Sequence, residues 1–270
     1  MSIGGEVKKG GNIRPSGKVY SSAMEGNEIR WRDITGYTEF GRHPGAMKRI
    51  RTVFNEKERV VAWVIGIGGN ISLGNWRYIQ PFEHIEVAEM LRRAGVKDFK
   101  VYASDINPAR IEAAQKMLGE GVIKVNAEDL KLSSLGARNQ AATKKYLKIF
   151  SGKNDTRGPF QFTLPEGLKE KIVFLGHEMS TGNAFLETPA EQPHLITCFN
   201  VSQHYYNPPE KKLLAQMLAE ALAPGGILLV NRPSKLHPDA CKGSFELELG
   251  KRLTERKTQT AGYLEFCKVR

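Results

Sequence analysis

The sequence predicts an α/β protein built on an open, doubly wound and mostly parallel sheet. Apolar runs and amphipathic segments alternate along the chain, which is the order of βαβ units. Residues 60–65 form a continuous apolar run, which suits a strand buried on both faces. That run leads directly into three glycines within residues 66–69, and a second apolar run at residues 99–103 leads to Asp105. The rest of the prediction is built on this order of elements: a strand, a glycine turn, a helix, and a second strand that leads to the carboxylate of Asp105.

Length and composition limit the protein class. With 270 residues and 40% apolar content, one α/β domain with an appendage fits better than two full domains. No apolar run is long enough to span a bilayer and the N-terminus lacks an apolar signal core, so we expect a cytoplasmic protein without membrane insertion. The three cysteines form neither a disulfide framework nor a zinc pattern, so no metal site is expected. The net charge of +11 is scattered, which allows a nucleic acid partner without favouring one.

The chain divides into three parts. Residues 1–28 are rich in Gly, Ser, Lys and Asn and lack periodic apolar positions, which predicts a flexible arm. Residues 29–57 are predicted to form an N-terminal helical segment, and residues 58–270 the main domain. The helical segment is either a packing collar or a lid over a ligand, with Tyr37 and Arg42 reaching in.

The helices and strands follow from apolar spacing and from glycine and proline signals. The first helix, residues 44–54, would present Met47, Ile50 and Phe54 on one face, and Gly95 would end the second. The other predicted helices are residues 82–94, residues 107–118 ended by Gly119 and Gly121, residues 141–150, and residues 209–223. Further strand-like pieces are residues 160–164, 168–174, 194–201, 227–230 and 263–269. Residues 180–193 are predicted as loop, a single polar connection precedes residue 263, and the last strand is predicted at the sheet edge.

The glycine turn and the acidic strand tip indicate a nucleoside-bearing ligand. Glycine permits positive φ and a close approach of ligand to backbone, and a carboxylate at the tip of the second strand can accept hydrogen bonds from ribose hydroxyls. The spacing is G-x-G-G-N with an insertion at residues 71–81, which differs from the dinucleotide fingerprint G-x-G-x-x-G. A plain tight βα connection therefore stays open as an alternative.

A set of ordered motifs extends this interpretation. The segment L-A-P-G-G-I-L-L-V after a helix is typical of class I S-adenosylmethionine-dependent methyltransferases. Within that group the chain resembles the CheR-type methyltransferases, which methylate receptor glutamates in chemotaxis. The resemblance covers roughly residues 30–235 and rests on T-E-F-G-R, A-S-D-I-N-P, K-K-Y-L-K-I-F, I-V-F-L-G-H-E-M and I-T-C-F-N-V-S-Q-H-Y-Y-N-P-P. It implies a Rossmann-like, seven-stranded sheet with an N-terminal helical extension, and S-adenosyl-L-methionine as cofactor.

The resemblance also implies roles for particular residues. Catalytic positions would be Asn200 and Tyr205. Cofactor-binding positions would be Gly66 and Gly68 under the methionine part, Asp105 at the ribose, Ile106, Glu178 and Met179 around the adenine, and Asn200 and Val201 at the floor of the methyl-transfer site. Phe199 stands where the family has Arg, and the glycine turn differs from the family's acidic turn.

The methyl acceptor expected from the resemblance is a carboxylate on a protein or a small molecule. A carboxylate is already nucleophilic at neutral pH, so the protein would orient it and exclude water rather than supply a base. For a phenol or an amine, His177 and His204 would be the candidate bases. Two alternatives stay open: a non-catalytic cofactor-binding protein of the same fold, and an NAD(P)-dependent oxidoreductase.

Overall fold

The structure, a computed structural model, describes the elements of an α/β sheet protein. It describes residues 44–67, 83–105, 108–125, 160–175, 179–180, 183–184, 188–199, 208–231, 244–256 and 263–269. The helices are α1 Pro44–Val53, α2 Glu83–Arg93, α3 Pro108–Glu120, α4 Pro208–Ala221 and α5 Ser244–Arg252. The strands are β1 Arg59–Ile65, β2 Asp98–Ser104, β3 Val122–Val125, β4 Phe160–Thr163, β5 Ile172–Phe174, β6 Met179–Ser180, β7 Asn183–Ala184, β8 Leu195–Cys198, β9 Ile227–Asn231, β10 Thr254–Arg256 and β11 Tyr263–Cys267.

Seven strands form one sheet in the order β10-β11-β9-β8-β1-β2-β5. The pairs β5–β2, β2–β1, β1–β8 and β8–β9 are parallel, and β11 is antiparallel to both of its neighbours. From β1 the chain builds outward through β2 and β5, then returns to the other side of β1 and builds outward again through β8 and β9. The winding direction therefore reverses between β1 and β8, which defines a topological switch point. The predicted fold class, a Rossmann-like and mostly parallel seven-stranded sheet, is confirmed.

Helices cover both faces of this sheet. Successive residues of β1 alternate between two apolar clusters, with Val60, Ala62 and Val64 in one and Val61, Trp63 and Ile65 in the other. The first cluster includes residues of α1, α2 and α3, and the second includes residues of α4 and α5. Burial of β1 on both sides explains why its sequence is continuously apolar.

The predictions for the first half of the sheet are largely confirmed. Helix α1 buries Met47 and Ile50, and Phe54, which directly follows the helix, is buried with them, as the spacing predicted. Helix α2 is followed by Gly95 with a φ of 73°, the left-handed conformation that commonly ends a helix. The expectation that Gly119 ends α3 is wrong, because the helix continues to Glu120. Gly121, which was also expected to end the helix, directly follows it with a φ of 65°.

The last part of the chain differs from the prediction. The supposed polar connection contains α5 and β10, and β11 lies between β9 and β10 instead of at the sheet edge. Apolar residues four apart, Phe245, Leu249 and Leu253, form the buried side of α5 and of the turn that follows it. The charged residues between them hide this helical spacing in the sequence.

Smaller differences occur between β4 and β8. Residues 168–174 divide into a 3-10 turn, Lys169–Lys171, and the short strand β5. The predicted loop at residues 180–193 contains β7, and its first residue is the last residue of β6. The predicted strand at residues 194–201 is present as β8, which is shorter.

Several expectations fall outside the described residues. They are the arm at residues 1–28, the collar or lid positions Tyr37 and Arg42, the insertion at residues 71–81 and the helix at residues 141–150. The boundaries at residues 28 and 57 stay predictions. In the described part of the chain, none of the helices is both long and apolar enough to cross a membrane.

Candidate functional site

The carboxyl ends of three neighbouring strands meet at the switch point. Ile65, the last residue of β1, is in register with Ser104 of β2 on one side and with Cys198 of β8 on the other. The residues that follow these strands, beginning with Gly66 and Asp105, therefore lie at the same edge of the sheet. In open α/β sheets this edge, at the point where the winding reverses, is where ligands bind.

The turn that leaves β1 depends on Gly66. Its φ is 76°, a left-handed conformation that side-chain-bearing residues rarely adopt. Its N–H donates a 2.7 Å hydrogen bond to the carbonyl of Ser104, which fixes the turn against β2. Helix α2 begins beside this turn, because the N–H of Glu83 donates to the carbonyl of Ile67 over 3.2 Å. Residues 68–82, which include Gly68, are outside the described part of the chain.

Asp105 directly follows β2, at the position predicted for a ribose-binding carboxylate. Its exposed fraction is only 2%. The adjoining strand ends are fixed by a buried pair of hydrogen bonds, in which Trp63 Nε1 donates to Ser104 Oγ over 3.1 Å and that hydroxyl donates to the Val64 carbonyl over 3.3 Å. The acidic strand tip is thus held on a rigid support.

A second buried carboxylate lies on the other side of the glycine turn. Glu83, the first residue of α2, accepts a 3.1 Å hydrogen bond from Thr197 Oγ1 on β8, and both side chains are buried. This contact joins the first turn of α2 to β8 across the switch point. A carboxylate is also favourable at the amino end of a helix, where the backbone carries partial positive charge.

His84, the next residue of α2, is completely buried. Within the described part of the chain neither ring nitrogen has a hydrogen-bond partner. The ring packs edge-on against Phe174, with 5.4 Å between ring centroids and an interplanar angle of 67°. Burial lowers the pKa of His84 to about 3, so the imidazole is neutral near pH 7. A neutral imidazole carries one donor and one acceptor nitrogen.

The structure brings together some of the predicted site residues. Gly66 and Asp105 lie at the same sheet edge. Met179 lies on β6, where it is paired with Ala184 of β7. Phe199, which stands in place of the family's Arg, is buried directly after β8. Predicted positions outside the described residues are Gly68, Ile106, His177, Glu178, Asn200, Val201, His204 and Tyr205.

His84 and Thr197 were not predicted as parts of the site, whereas the resemblance allowed that Glu83 takes the place of the family's acidic turn after the insertion. The available signal was the run E-H-I-E in the first turn of the helix that follows the glycine turn. Its significance depends on burial, which the sequence does not display. No group of three or more potential metal ligands occurs among the residues that the structure describes.

No family model matches the chain. Solved structures that are similar to it include the N-methyltransferase NodS from Bradyrhizobium japonicum WM9 in complex with S-adenosyl-L-homocysteine, at 14% identity over 93% of this chain and 99% of that chain, with a TM-score of 0.48. A TehB-like SAM-dependent methyltransferase from Corynebacterium glutamicum shows 11% identity over 93% and 100% of the two chains, with a TM-score of 0.44. A SAM-dependent methyltransferase from Aquifex aeolicus shows 12% identity over 92% and 96%, with a TM-score of 0.43.

Proposed function

We propose that the protein is an S-adenosylmethionine-dependent methyltransferase whose cofactor binds at the carboxyl ends of β1 and β2. The observation that carries this proposal is the joint placement of Gly66, in a left-handed turn, and Asp105, buried at the tip of the adjacent strand. Both lie beside the switch point of a doubly wound sheet, the position at which such folds bind nucleotides. The ordered motifs that resemble class I methyltransferases support the same assignment.

The polar groups at this edge fit the chemistry of the cofactor. The Asp105 carboxylate would accept hydrogen bonds from the two ribose hydroxyls. Gly66 lets the backbone approach the methionine part closely, because it has no Cβ. Glu83, oriented by Thr197, supplies a second carboxyl group at the switch point, which suits the ammonium group of an amino acid. Around the adenine we propose Ile106, Glu178 and Met179, with Gly68 in the turn and Val201 at the floor of the site.

The cofactor supplies a methyl group that is activated by its attachment to a sulfonium. The protein then has to orient the acceptor and exclude water. We propose a CheR-like reaction in which the acceptor is a carboxylate on a protein or a small molecule and is positioned by Asn200 and Tyr205. A cytoplasmic location belongs to this proposal, and a nucleic acid acceptor is the less favoured choice because the positive charge is scattered.

Calorimetric titration with S-adenosylmethionine, S-adenosylhomocysteine and NADH in parallel tests the cofactor. We expect the first two to bind and NADH not to bind. Asp105→Asn should weaken S-adenosylhomocysteine binding at least about tenfold, because a charge-assisted hydrogen bond is lost. The matched control is Asp98→Asn, which changes an exposed carboxylate at the opposite end of the same strand. Equal affinity of the two variants would refute the ribose assignment, and binding of NADH alone would favour the oxidoreductase alternative.

Transfer from methyl-tritiated cofactor identifies the acceptor class. Methyl esters of carboxylates release volatile methanol in mild base, whereas methyl groups on nitrogen or phenolic oxygen stay attached. We expect base-labile label that is lost in Asn200→Ala. Cofactor binding without any methyl transfer to components of a cell extract would favour the non-catalytic alternative. A label that is stable in base would show that the acceptor is not a carboxylate.

A further inference from the structure

The buried imidazole of His84 is not explained by the packing of the core. Its exposed fraction is 0%, and in the described residues no group donates to or accepts from either nitrogen. Burying a polar group without hydrogen bonds is unfavourable, and such groups are rare in folded proteins. Other buried polar side chains at the same end of the sheet are bonded, as Trp63 is to Ser104 and Thr197 to Glu83. An apolar residue at position 84 would avoid this cost, so packing against the described residues gives no reason for an imidazole here.

The position of the ring identifies what it could bind. His84 lies in the first turn of α2, and its ring contacts Phe174, the last residue of β5. Phe174 is in register with Ala103 of β2, two residues before Asp105. The imidazole therefore lies on the β2–β5 side of the switch point, at the same sheet edge as the carboxylate proposed for the ribose. The opposite side, towards β8, holds the pair Glu83–Thr197.

We propose that His84 is a ligand-binding residue that hydrogen-bonds the nucleoside half of the cofactor. This inference rests on the proposed function. A purine nucleoside carries both hydrogen-bond donors and acceptors, so either nitrogen of a neutral imidazole can pair with it. The Phe174 ring contacts the imidazole from one side, and neither nitrogen is hydrogen-bonded to a described residue.

Two apolar variants, His84→Phe and His84→Leu, test this role against a purely structural one. Both remove the unsatisfied nitrogens, so the ligand-free protein should unfold at the same or a higher temperature. Binding should nevertheless weaken, with Kd for S-adenosylhomocysteine rising about tenfold, the usual effect of one lost hydrogen bond. His84→Gln, which keeps a donor and an acceptor, should bind within about threefold of the original chain. The Leu variant decides the outcome if Phe is too large to fold.

Titration with 5′-methylthioadenosine, which lacks the amino acid half, locates the contact. We expect the apolar variants to lose the same factor for this ligand as for S-adenosylhomocysteine. The control is His194→Asn, which changes a half-buried histidine at the amino end of β8 and should leave both affinities unchanged. An effect restricted to S-adenosylhomocysteine would overturn the nucleoside assignment, and unchanged affinity in the apolar variants would make His84 a core residue. If the unaltered chain binds neither ligand, the proposed function itself fails, and this inference fails with it.

Discussion

Replacing Arg49 by Met tests whether a buried ion pair attaches α1 to the sheet. Arg49 Nε and Nη2 donate to the two carboxylate oxygens of Glu265 over 2.7 and 2.9 Å, a bidentate arrangement. Glu265 lies on β11, and its side chain is 2% exposed, whereas that of Arg49 is 31% exposed. The hydrogen bonds to Glu265 raise the pKa of Arg49 above its usual value, so the guanidinium stays charged at ordinary pH. Without Arg49, the carboxylate loses its closest cation.

The magnitude follows from what remains around Glu265. Removing one partner of a buried ion pair costs about 3–5 kcal/mol, because the other charge stays buried. Two features reduce this cost. Arg256 Nη1 lies 3.7 Å from Glu265 Oε1 and can compensate in part, and Arg49 is partly solvated in the folded protein. Met also keeps the apolar contacts of the arginine stem. We therefore expect Arg49→Met to reduce the free energy of unfolding by about 2–3 kcal/mol.

Urea unfolding measures this loss, and hydrogen exchange of the α1 amides distinguishes local detachment of the helix from global unfolding. The matched control is Arg51→Met, the same substitution at an exposed position of the same helix, which should cost less than about 0.5 kcal/mol. Arg49→Met combined with Glu265→Leu should be more stable than Arg49→Met alone, because no charge is left buried. Equal stability of the Arg49 and Arg51 variants would refute the reasoning.

Three further substitutions have directions that the structure determines. Lys268→Met removes three hydrogen bonds of 2.7–3.0 Å to carbonyls at the carboxyl end of α4. Thermal unfolding should show a loss of stability of about 1–2 kcal/mol. The control Lys212→Met, on the exposed side of α4, should show no such loss. Thr197→Val removes the donor to Glu83 and should cost about 1–2 kcal/mol, whereas Thr197→Ser keeps the hydroxyl and should cost less; equal losses would contradict a role of the hydrogen bond. The buried His84 should make the protein acid-sensitive, because the unfolded chain takes up a proton near pH 6.5 while burial lowers the pKa of the folded group to about 3. Stability should therefore fall below pH 6.5 by up to about 1.4 kcal/mol per pH unit, and urea midpoints at pH 7, 6 and 5 should show a smaller fall in His84→Leu.

The parallel centre of the sheet could be predicted because its strands are buried on both faces. Residues 60–65 contain no polar position, which is typical of a strand buried on both faces. A tight turn after this strand requires a residue that tolerates positive φ, and the glycine at position 66 is visible in the sequence, as is Asp105 near the end of the second apolar run. Helices α2 and α4 were predicted because their apolar residues recur with helical spacing and proline or glycine marks their ends.

The end of the sheet could not be predicted, because its stability depends on contacts between distant residues. In β11, Glu265 interrupts the apolar run Y-L-E-F-C. The strand is interior because Arg49, 216 residues earlier in the chain, neutralises the carboxylate. Such a compensation leaves no local pattern, and neither does the bond between Thr197 and Glu83 across the switch point.

The distribution of buried polar side chains is itself an argument for a functional site at the switch point. Nine polar or charged side chains are buried in the described part of the chain, and five of them lie at or beside the carboxyl ends of β1, β2 and β8: Glu83, His84, Ser104, Asp105 and Thr197. A core selected only for stability would place apolar residues there, since each buried polar group requires hydrogen bonds that constrain its neighbours. Departures from the rules of stable packing are expected where a protein binds a ligand. The concentration of these residues at the edge where doubly wound sheets bind nucleotides therefore agrees with the cofactor site that we propose there.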